Sequence, residues 1–336
     1  MTSDTRTDVR VPNTASIEDL RFRPVNLDGD LEPLVDLMST ANLVDRIEWL
    51  PTVDRLRNEL VHRSNFDLVR DTLVAEAADG ELVGAIETSI GVRDGIALHS
   101  METWIRPSHR QDGLPRALLL WAEDRAREAA AEWPLDQPHE LGTWVDDGES
   151  GAIALLEAEG YRQVRFGFMM VRSLADPIPD RPLPDGLEVR PVVESDHRRI
   201  WDADSEAFRD HYAPLERTEE DYLSWFSTPS LDTSLWRVAW AGDEIAGSVW
   251  NFIWPEENER LGVKRGWLEH ISVRRPWRRR GLASALIVDS MRMLRDQGLT
   301  EAALGVDAEN LSGALHLYES LGFRRHRTGI SYRKAL

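Results

Sequence analysis

Five arginines and no acid fall within the seven residues 274–280 of the stretch HISVRRPWRRRGLASALI, His270 to Ile287. The residues before them alternate as a strand, Trp267 to Val273, and those after them repeat as a helix, with Leu282, Leu286, Met293 and Leu294 on one face and Gly298 as its stop. A turn that enters a helix presents unpaired backbone N–H groups at the positive end of the helix dipole, where phosphate binds well. Gly281 lets the backbone approach an anion closely, Ala283 keeps bulk out of the first turn, and the arginines add charge-assisted donors. The pattern predicts a phosphate or pyrophosphate site. Just upstream, alternation puts Glu269 on one strand face with Trp267, Ile271 and Val273, where a carboxylate is out of place unless it moves a proton or pairs with a nearby arginine or histidine. The same alternation points His270 to the opposite face, in a structural role.

The elements that must position these residues occur twice. LRFRPV from Leu20 and LEVRPV from Leu187 read as first strands, and TLVAEAADGELVGAIETSI from Thr72 matches SLWRVAWAGDEIAGSVWNFI from Ser234 as hairpins around a Gly-Asp-type turn. METWIRPSHRQDGLPRALLLWAED and LEHISVRRPWRRRGLASALIVDSM each give a strand, a basic turn and an amphipathic helix. LLEAEGYRQVR and LYESLGFRRHR give a helix ended by Gly160 or Gly322 and then a strand. The copies stay about 165 residues apart, an internal duplication of one mixed α/β unit. Four prolines in SLADPIPDRPLPDG, Ser173 to Gly186, suit an extended tether. The expected organisation is therefore a disordered tail over 1–16, a first domain over 17–173, a linker over 174–186 and a second domain over 187–336.

Strand, Arg278-x-x-Gly281-x-Ala283 and helix, in that order, resemble the pyrophosphate loop of the GNAT superfamily of acetyl-CoA-dependent N-acyltransferases. LGVDAENLSGALHLYESLGFRR resembles the family's fifth strand, Asn-containing loop and tyrosine-bearing helix, here with Asn310, Tyr318, Gly322 and Phe323. The resemblance implies an α/β fold of two tandem GNAT-like domains, each a twisted mixed sheet flanked by helices. It implies direct transfer of an acetyl group from acetyl-CoA, with no metal, to a primary amine of a small molecule or peptide. Tyr318 takes the family's acid position, protonating the expelled thiolate, and Glu269 is the candidate base, since an amine must be neutral to attack. The backbone of Ile271, Ser272 and Val273 would pair with the pantetheine arm as an added strand does. Arg278 and the N–H groups of Arg279, Arg280, Gly281, Leu282, Ala283 and Ser284 would hold the pyrophosphate, and Asn310 would bond near the cofactor or acceptor. The tandem layout with a degenerate first half is similar to that of the mycothiol synthases.

Aligning Arg110 and Gly113 with Arg278 and Gly281 places Met101 where Glu269 stands and Leu156 where Tyr318 stands. Pro115 replaces Ala283 and has no N–H, Gln111 and Asp112 replace two arginines, and Gly148 stands near the Asn310 position. The first half is thus expected to keep the fold without the chemistry. Acceptor choice is expected from the segment Asp202 to Ser230, rich in acids and aromatics, which an ordinary amphipathic helix pair also explains.

Composition excludes several alternatives. The chain has 336 residues and no cysteine, so disulfides, thiolate metal sites and a cysteine nucleophile are excluded. Its formal net charge of -19 repels nucleic acid and anionic membranes, against a reading of RRPWRRR as a polyanion patch. No apolar run is long enough to span a bilayer and MTSDTRTDVRVPNTAS lacks a signal-peptide core, so a cytoplasmic protein is expected, monomer or homodimer, with acetyl-CoA and an amine as partners. A non-catalytic acyl-CoA-binding or regulatory module is the competing function.

Overall fold

The computed structural model describes residues 9, 11, 17, 19–93, 95–134, 136–209, 217–228, 231–309 and 313–336. In chain order the elements of the first half are β1 (Arg21–Arg23), α1 (Leu31–Val44), α2 (Val53–His62), β2 (Thr72–Glu76), β3 (Leu82–Arg93), β4 (Ile96–Ile105), α3 (Leu114–Glu132), β5 (His139–Asp146), α4 (Ser150–Ala158) and β6 (Arg162–Ser173). The second half continues with β7 (Glu188–Arg190), α5 (His197–Phe208), α6 (Glu219–Phe226), β8 (Arg237–Ala241), β9 (Glu244–Ile253), α7 (Pro255–Leu261), β10 (Arg265–Val273), α8 (Leu282–Asp296), β11 (Glu301–Asp307), α9 (Ala314–Ser320) and β12 (Arg324–Ala335). The duplication is visible element by element, with α7 an addition in the second copy. Both hairpins turn on a left-handed glycine, Gly80 at φ +89° and Gly242 at φ +60°, and Gly160 and Gly322 follow α4 and α9 at φ +87° and +92°.

The chain forms two compact units, but these do not coincide with the two halves. The first comprises 1–165, 218–229 and 330–336, and the second 166–217 and 230–329. In the first, β1-β2-β3-β4-β5 run in order and the C-terminal part of β12 adds the next strand, with Ile330 and Tyr332 in the core. In the second, β7-β8-β9-β10-β11 run in order and residues 167–173 of β6 pair antiparallel with β11. Each sheet is therefore completed by a strand from the other half of the chain, a long-range exchange that local sequence pattern does not encode.

The first unit buries both faces of its sheet, as the continuous burial of β3 from Leu82 to Thr88 requires. Leu73, Met101, Leu118 and Leu141 pack with α3 on one face, and Val74, Ala85, Leu34 and Leu56 form the core with α1 and α2 on the other. The helix α6 belongs to this unit too: Ser64 Oγ donates to Asp221 Oδ1 at 2.9 Å, and Thr218 caps the helix in a capping box. The segment Asp202 to Ser230 is thus divided between the units, and its residues 210–216 and 229–230 lie outside those described.

In the second unit Leu268, Leu286, Met291, Leu294 and Leu304 fill the core between the sheet and α8. Gly266 makes room for this packing, since a Cβ there would stand 2.5 Å from Leu294 Cδ2 and push the leucine aside. The proline-rich stretch is no free tether. Leu174 is buried, Ile178 and Leu183 pack on this core, and Arg172 Nη2 donates to the carbonyl of Pro177 at 2.8 Å. Of the expected N-terminal tail, Val9 and Val11 are described, and both are ordered: Val9 N–H donates to Phe22 O at 2.8 Å, and Val11 is buried in the first core.

Candidate active site

The site grows out of an irregularity in β10. The ladder between β9 and β10 pairs Trp250 with Glu269 and Ser248 with Ser272, so His270 and Ile271 stand opposite Val249 alone. This β-bulge places His270 at φ +44°, a left-handed conformation that few non-glycine residues adopt. Its consequence is a change of face. Directly paired residues share a face, so Trp267 and Glu269 lie with Trp250 as alternation predicts, but beyond the bulge Ser272 joins them and Val273 turns away. Ser272 Oγ and Ser248 Oγ are 3.2 Å apart on that shared face. His270 lies there as well: its ring stacks on Trp250 at 4.5 Å and 18°. The expectation that His270 opposes Glu269, and that Ile271 and Val273 continue its face, fails because one inserted residue resets the alternation.

The bulge also corrects the comparison between halves. β3 and β4 pair without interruption, Gly84 with Ile105 and Glu87 with Glu102, while Gly247 pairs with Val273 and Trp250 with Glu269. Counted from the matching glycines, Glu102 and not Met101 occupies the sheet position of Glu269. Leu156 and Tyr318 do correspond, each the one buried residue of its short helix, α4 or α9.

Parallel pairing between β10 and β11 covers only Arg265, Gly266 and Trp267 against Glu301, Ala302 and Ala303. Beyond that point the strands diverge, leaving the β10 edge from Leu268 onward unpaired with β11 among the described residues. The opening leads to the arginine turn. Arg275–Trp277 form a 3₁₀ turn, Arg279 and Gly281 take φ +60° and +85°, and α8 starts at Leu282 without a side-chain cap. The first intrahelical bond is Ala285 N–H to Gly281 O at 3.0 Å, so the N–H groups of Leu282, Ala283 and Ser284 are the free donors of the first turn. A Cβ at Gly281 would meet open space, so its conformation and not crowding calls for glycine.

The arginines divide by task. Arg279 and Arg280 are exposed and have no hydrogen bond or ion pair among the described residues. Arg278 braces the turn, its Nε donating to Val273 O at 2.9 Å and its Nη2 to Ala207 O at 3.0 Å. Arg274 bonds Glu206 and the carbonyl of Ile245, both at 2.9 Å. Ile271 is half-buried against the α8 core, and Asn310 lies outside the described residues.

Tyr318 stands in the core cluster on the α8 side of the sheet, near Leu304 and Val306, with Phe323 edge-on at 6.2 Å. Burial holds its hydroxyl proton well above the usual phenol range, so the group is a proton donor through the neutral range. Glu269 and His270 lie on the opposite, α5 side. That side carries a network sequence reasoning missed: Asp204 Oδ2 accepts from Arg217 Nη1 at 2.8 Å and lies 2.9 Å from His270 Nδ1, and Arg217 Nη2 lies 3.2 Å from that same ring nitrogen. The available signal was an acid, Asp204, on the apolar stripe of Ile200, Trp201 and Ala207 along α5. Among the described residues no group of acids and histidines is placed to hold a metal ion, and no helix is long and apolar enough to cross a membrane.

The profile of the Acetyltransferase (GNAT) family matches residues 197–323. A mycothiol acetyltransferase of Geodermatophilus obscurus is 32% identical over 269 residues, 79% of this chain and 82% of that protein. One from Streptomyces avermitilis is 30% identical over 310 residues, 91% of this chain and 92% of its own. The chain belongs to the GNAT family of acetyltransferases. Among solved structures, a GCN5-related N-acetyltransferase from Sphaerobacter thermophilus is similar at 26% identity with a TM-score of 0.71, covering 95% of this chain and 96% of that one. A tandem GNAT protein from the clavulanic acid biosynthesis pathway shares the fold at 17% identity and a TM-score of 0.67, covering 94% of this chain and 98% of its own. The protein is an acetyltransferase, acetyl-CoA is its acyl donor, and the mixed α/β architecture expected from its motifs is the one observed.

Proposed function

We propose that the second unit transfers the acetyl group of acetyl-CoA directly to a primary amine of a small molecule or peptide. The observation that carries this is the meeting of diverging strands with an uncapped helix: the edge of β10 that is not paired with β11 among the described residues leads to the N–H groups of Leu282, Ala283 and Ser284, flanked by Arg279 and Arg280. Pyrophosphate suits the turn and pantetheine suits the edge, around Ile271 to Val273. Asn310 is kept as a cofactor or acceptor contact. Tyr318, on one side of the sheet, is suited to protonate the thiolate as the C–S bond breaks. Glu269, on the other, is suited to attract the acceptor's ammonium group and draw its proton.

The family match over 197–323 supports placing the chemistry in this half. So do the first-half replacements, Asp112 and Pro115 at the turn and Leu156 in place of a tyrosine, although Glu102 keeps a carboxylate on the sheet. In this reading the first unit supports the fold, and the protein works in the cytoplasm without nucleic acid. The name shared by the relatives, mycothiol acetyltransferase, makes a mycothiol-type acceptor the first to test.

Thiol release from acetyl-CoA, measured against that acceptor class and a panel of primary amines, tests the reading. Amine-dependent release that is lost when Tyr318→Phe and Glu269→Ala are combined is the expected result. Tight acetyl-CoA binding with no turnover on any acceptor would establish a binding module instead, and full turnover in the double variant would move the chemistry elsewhere.

A further inference from the structure

Tyr318 is held by the end of its own helix. α9 is seven residues long and starts after Gly313 with no side-chain cap, so little of its stability comes from within. Its last turn closes as a Schellman motif: Phe323 N–H donates to Tyr318 O and Gly322 N–H to Glu319 O, both at 3.0 Å, and the rings of Tyr318 and Phe323 meet edge-on. Against Gly322 lies Arg172, a residue of β6 and therefore of the first half of the chain. It is 4% exposed, pairs with Ala302 on the Tyr318 side of the sheet, and its Nε has no hydrogen-bond partner among the described residues. Nη2 and Nη1 donate to the carbonyls of Pro177 at 2.8 Å and Ser173 at 3.3 Å, and a Cβ at Gly322 would stand 2.8 Å from Nε and 3.7 Å from Cζ, so the guanidinium packs on the cap itself. Burial disfavours its charge, Asp176 favours it from beyond ion-pair distance and Arg295 opposes it. A buried cation so placed is costly, but the carbonyl end of a helix is where positive charge is welcome.

The first copy supplies the contrast. α4 ends in the same cap, with Tyr161 N–H on Leu156 O at 2.9 Å and Gly160 N–H on Glu157 O at 3.1 Å, yet a Cβ at Gly160 would meet open space. Counted from Gly160 and Gly322, the residue matching Arg172 is Lys334, and its Nζ goes instead to Glu123 Oε1 at 2.7 Å. Counted from Gly113 and Gly281, Met291 stands in the second copy where Glu123 stands in the first. The copy with a leucine at the acid position therefore neutralises its cation with a carboxylate. The copy with a tyrosine has a methionine in place of that carboxylate and rests the cation on the glycine of the cap.

We propose that Arg172 is a positioning residue for Tyr318, fixing the last turn of α9 so that the phenol keeps its place as proton donor. This rests on the reading of Tyr318 as the acid that protonates the thiolate, and adds that the first half of the chain supplies a residue on which the second half's chemistry depends. Tyr318 O is the acceptor that closes the cap, so a cap that loosens lets the whole residue shift. Misplacing a reacting group by about 1 Å costs up to about a hundredfold in rate.

Thiol release from acetyl-CoA with the best acceptor among the mycothiol-type and other primary amines, measured for Arg172→Met, Tyr318→Phe and the double variant, tests this. Tyr318→Phe is expected to lower kcat about a hundredfold and Arg172→Met about tenfold, each with KM for acetyl-CoA within about twofold. In the Tyr318→Phe background Arg172→Met should change kcat by less than about twofold. A residue that only holds the fold together costs the same factor in both backgrounds; that result, or wild-type kcat in Arg172→Met, overturns the positioning role and leaves Tyr318 in its own. Should Arg172→Met fail to fold, Arg172→Lys keeps a cation at the helix end but no planar group against Gly322, and the same cycle should show a loss of about threefold, again only where Tyr318 is present. Wild-type kcat in Tyr318→Phe removes the acid reading and the positioning role with it. A wild-type protein that releases no thiol with any acceptor removes the transfer reading, and both roles fall.

Discussion

Arg278 reaches from the turn before α8 to the last turn of α5, where its Nη2 donates to the carbonyl of Ala207 at 3.0 Å. Its Nε holds the end of β10 through Val273 O at 2.9 Å. Arg110 repeats the arrangement in the first unit, with Nε on Ile105 O at 3.2 Å and Nη2 on Ala41 O at 3.5 Å, and adds both oxygens of Asp45 at 2.7 Å. The leading arginine of the turn is therefore a brace in both copies, preserved where Asp112 has replaced an arginine. A lysine cannot span two carbonyls with one planar fork, and hydrogen bonds from a charged donor are worth about 1.5–3 kcal/mol. Arg278→Lys should raise the Kd for acetyl-CoA about tenfold by calorimetry, while Arg110→Lys should lower the Tm and leave that Kd unchanged.

Arg279 and Arg280 contrast with this brace, being exposed and unengaged among the described residues. Cations beside an uncapped helix start act on an anion through charge, which salt screens. Each alanine variant should weaken acetyl-CoA binding about tenfold at low salt and by less at 0.5 M salt, roughly, where the Debye length falls to a few ångströms. Titration calorimetry at two salt concentrations checks this, with kcat at saturating acetyl-CoA unchanged.

The duplication, the arginine turn and the helix it opens were legible because each is written in short-range spacing: Gly281, the period of α8 and the stop at Gly298 are local signals. The bulge at His270 was not. Neither glycine nor proline marks it, and a histidine at φ +44° is set by Trp250 and Asp204, which are distant in sequence. From that one missed residue follow the wrong face for His270 and the alignment of Met101 with Glu269. The exchange of β6 and β12 and the placement of α6 in the first unit are long-range pairings, which periodicity does not carry. Glu269 and Tyr318 stand out as candidates by type and motif, but only the folded chain puts them on opposite sides of the sheet.

The bulge makes a further prediction through Gly247. A Cβ there would stand 2.5 Å from Ser272 O and 3.1 Å from Val273 Cα, both backbone atoms that move only if β9 and β10 part. At the matching Gly84, where the ladder is regular, a Cβ would meet Leu114 Cδ2 at 3.1 Å and Leu118 Cδ1 at 3.2 Å, the mobile ends of side chains. Gly247→Ala should therefore destabilise by about 1–3 kcal/mol, and Gly84→Ala by clearly less. Parallel thermal denaturation of the two variants tests the order, and an equal or larger loss in Gly84→Ala would refute the account.

His99 links the first unit's stability to pH. Its ring is 2% exposed on β4, and its Nε2 lies 2.9 Å from Nδ1 of His139, one nitrogen donating to the other. Burial, then the neighbouring His139 and Arg125, press its pKa down to about 4. An unfolded histidine titrates near about 6.5, so between these values the unfolded chain binds a proton that the folded chain refuses. The resulting stability is complete above the unfolded value and is lost as pH falls through the window toward about 4, a matter of about 3 kcal/mol for the single group. In His99→Gln, which bears no charge in either state, the urea midpoint should change less between about pH 7 and pH 4.5 than in the wild type. Equal acid sensitivity in the two proteins would assign the loss to other groups.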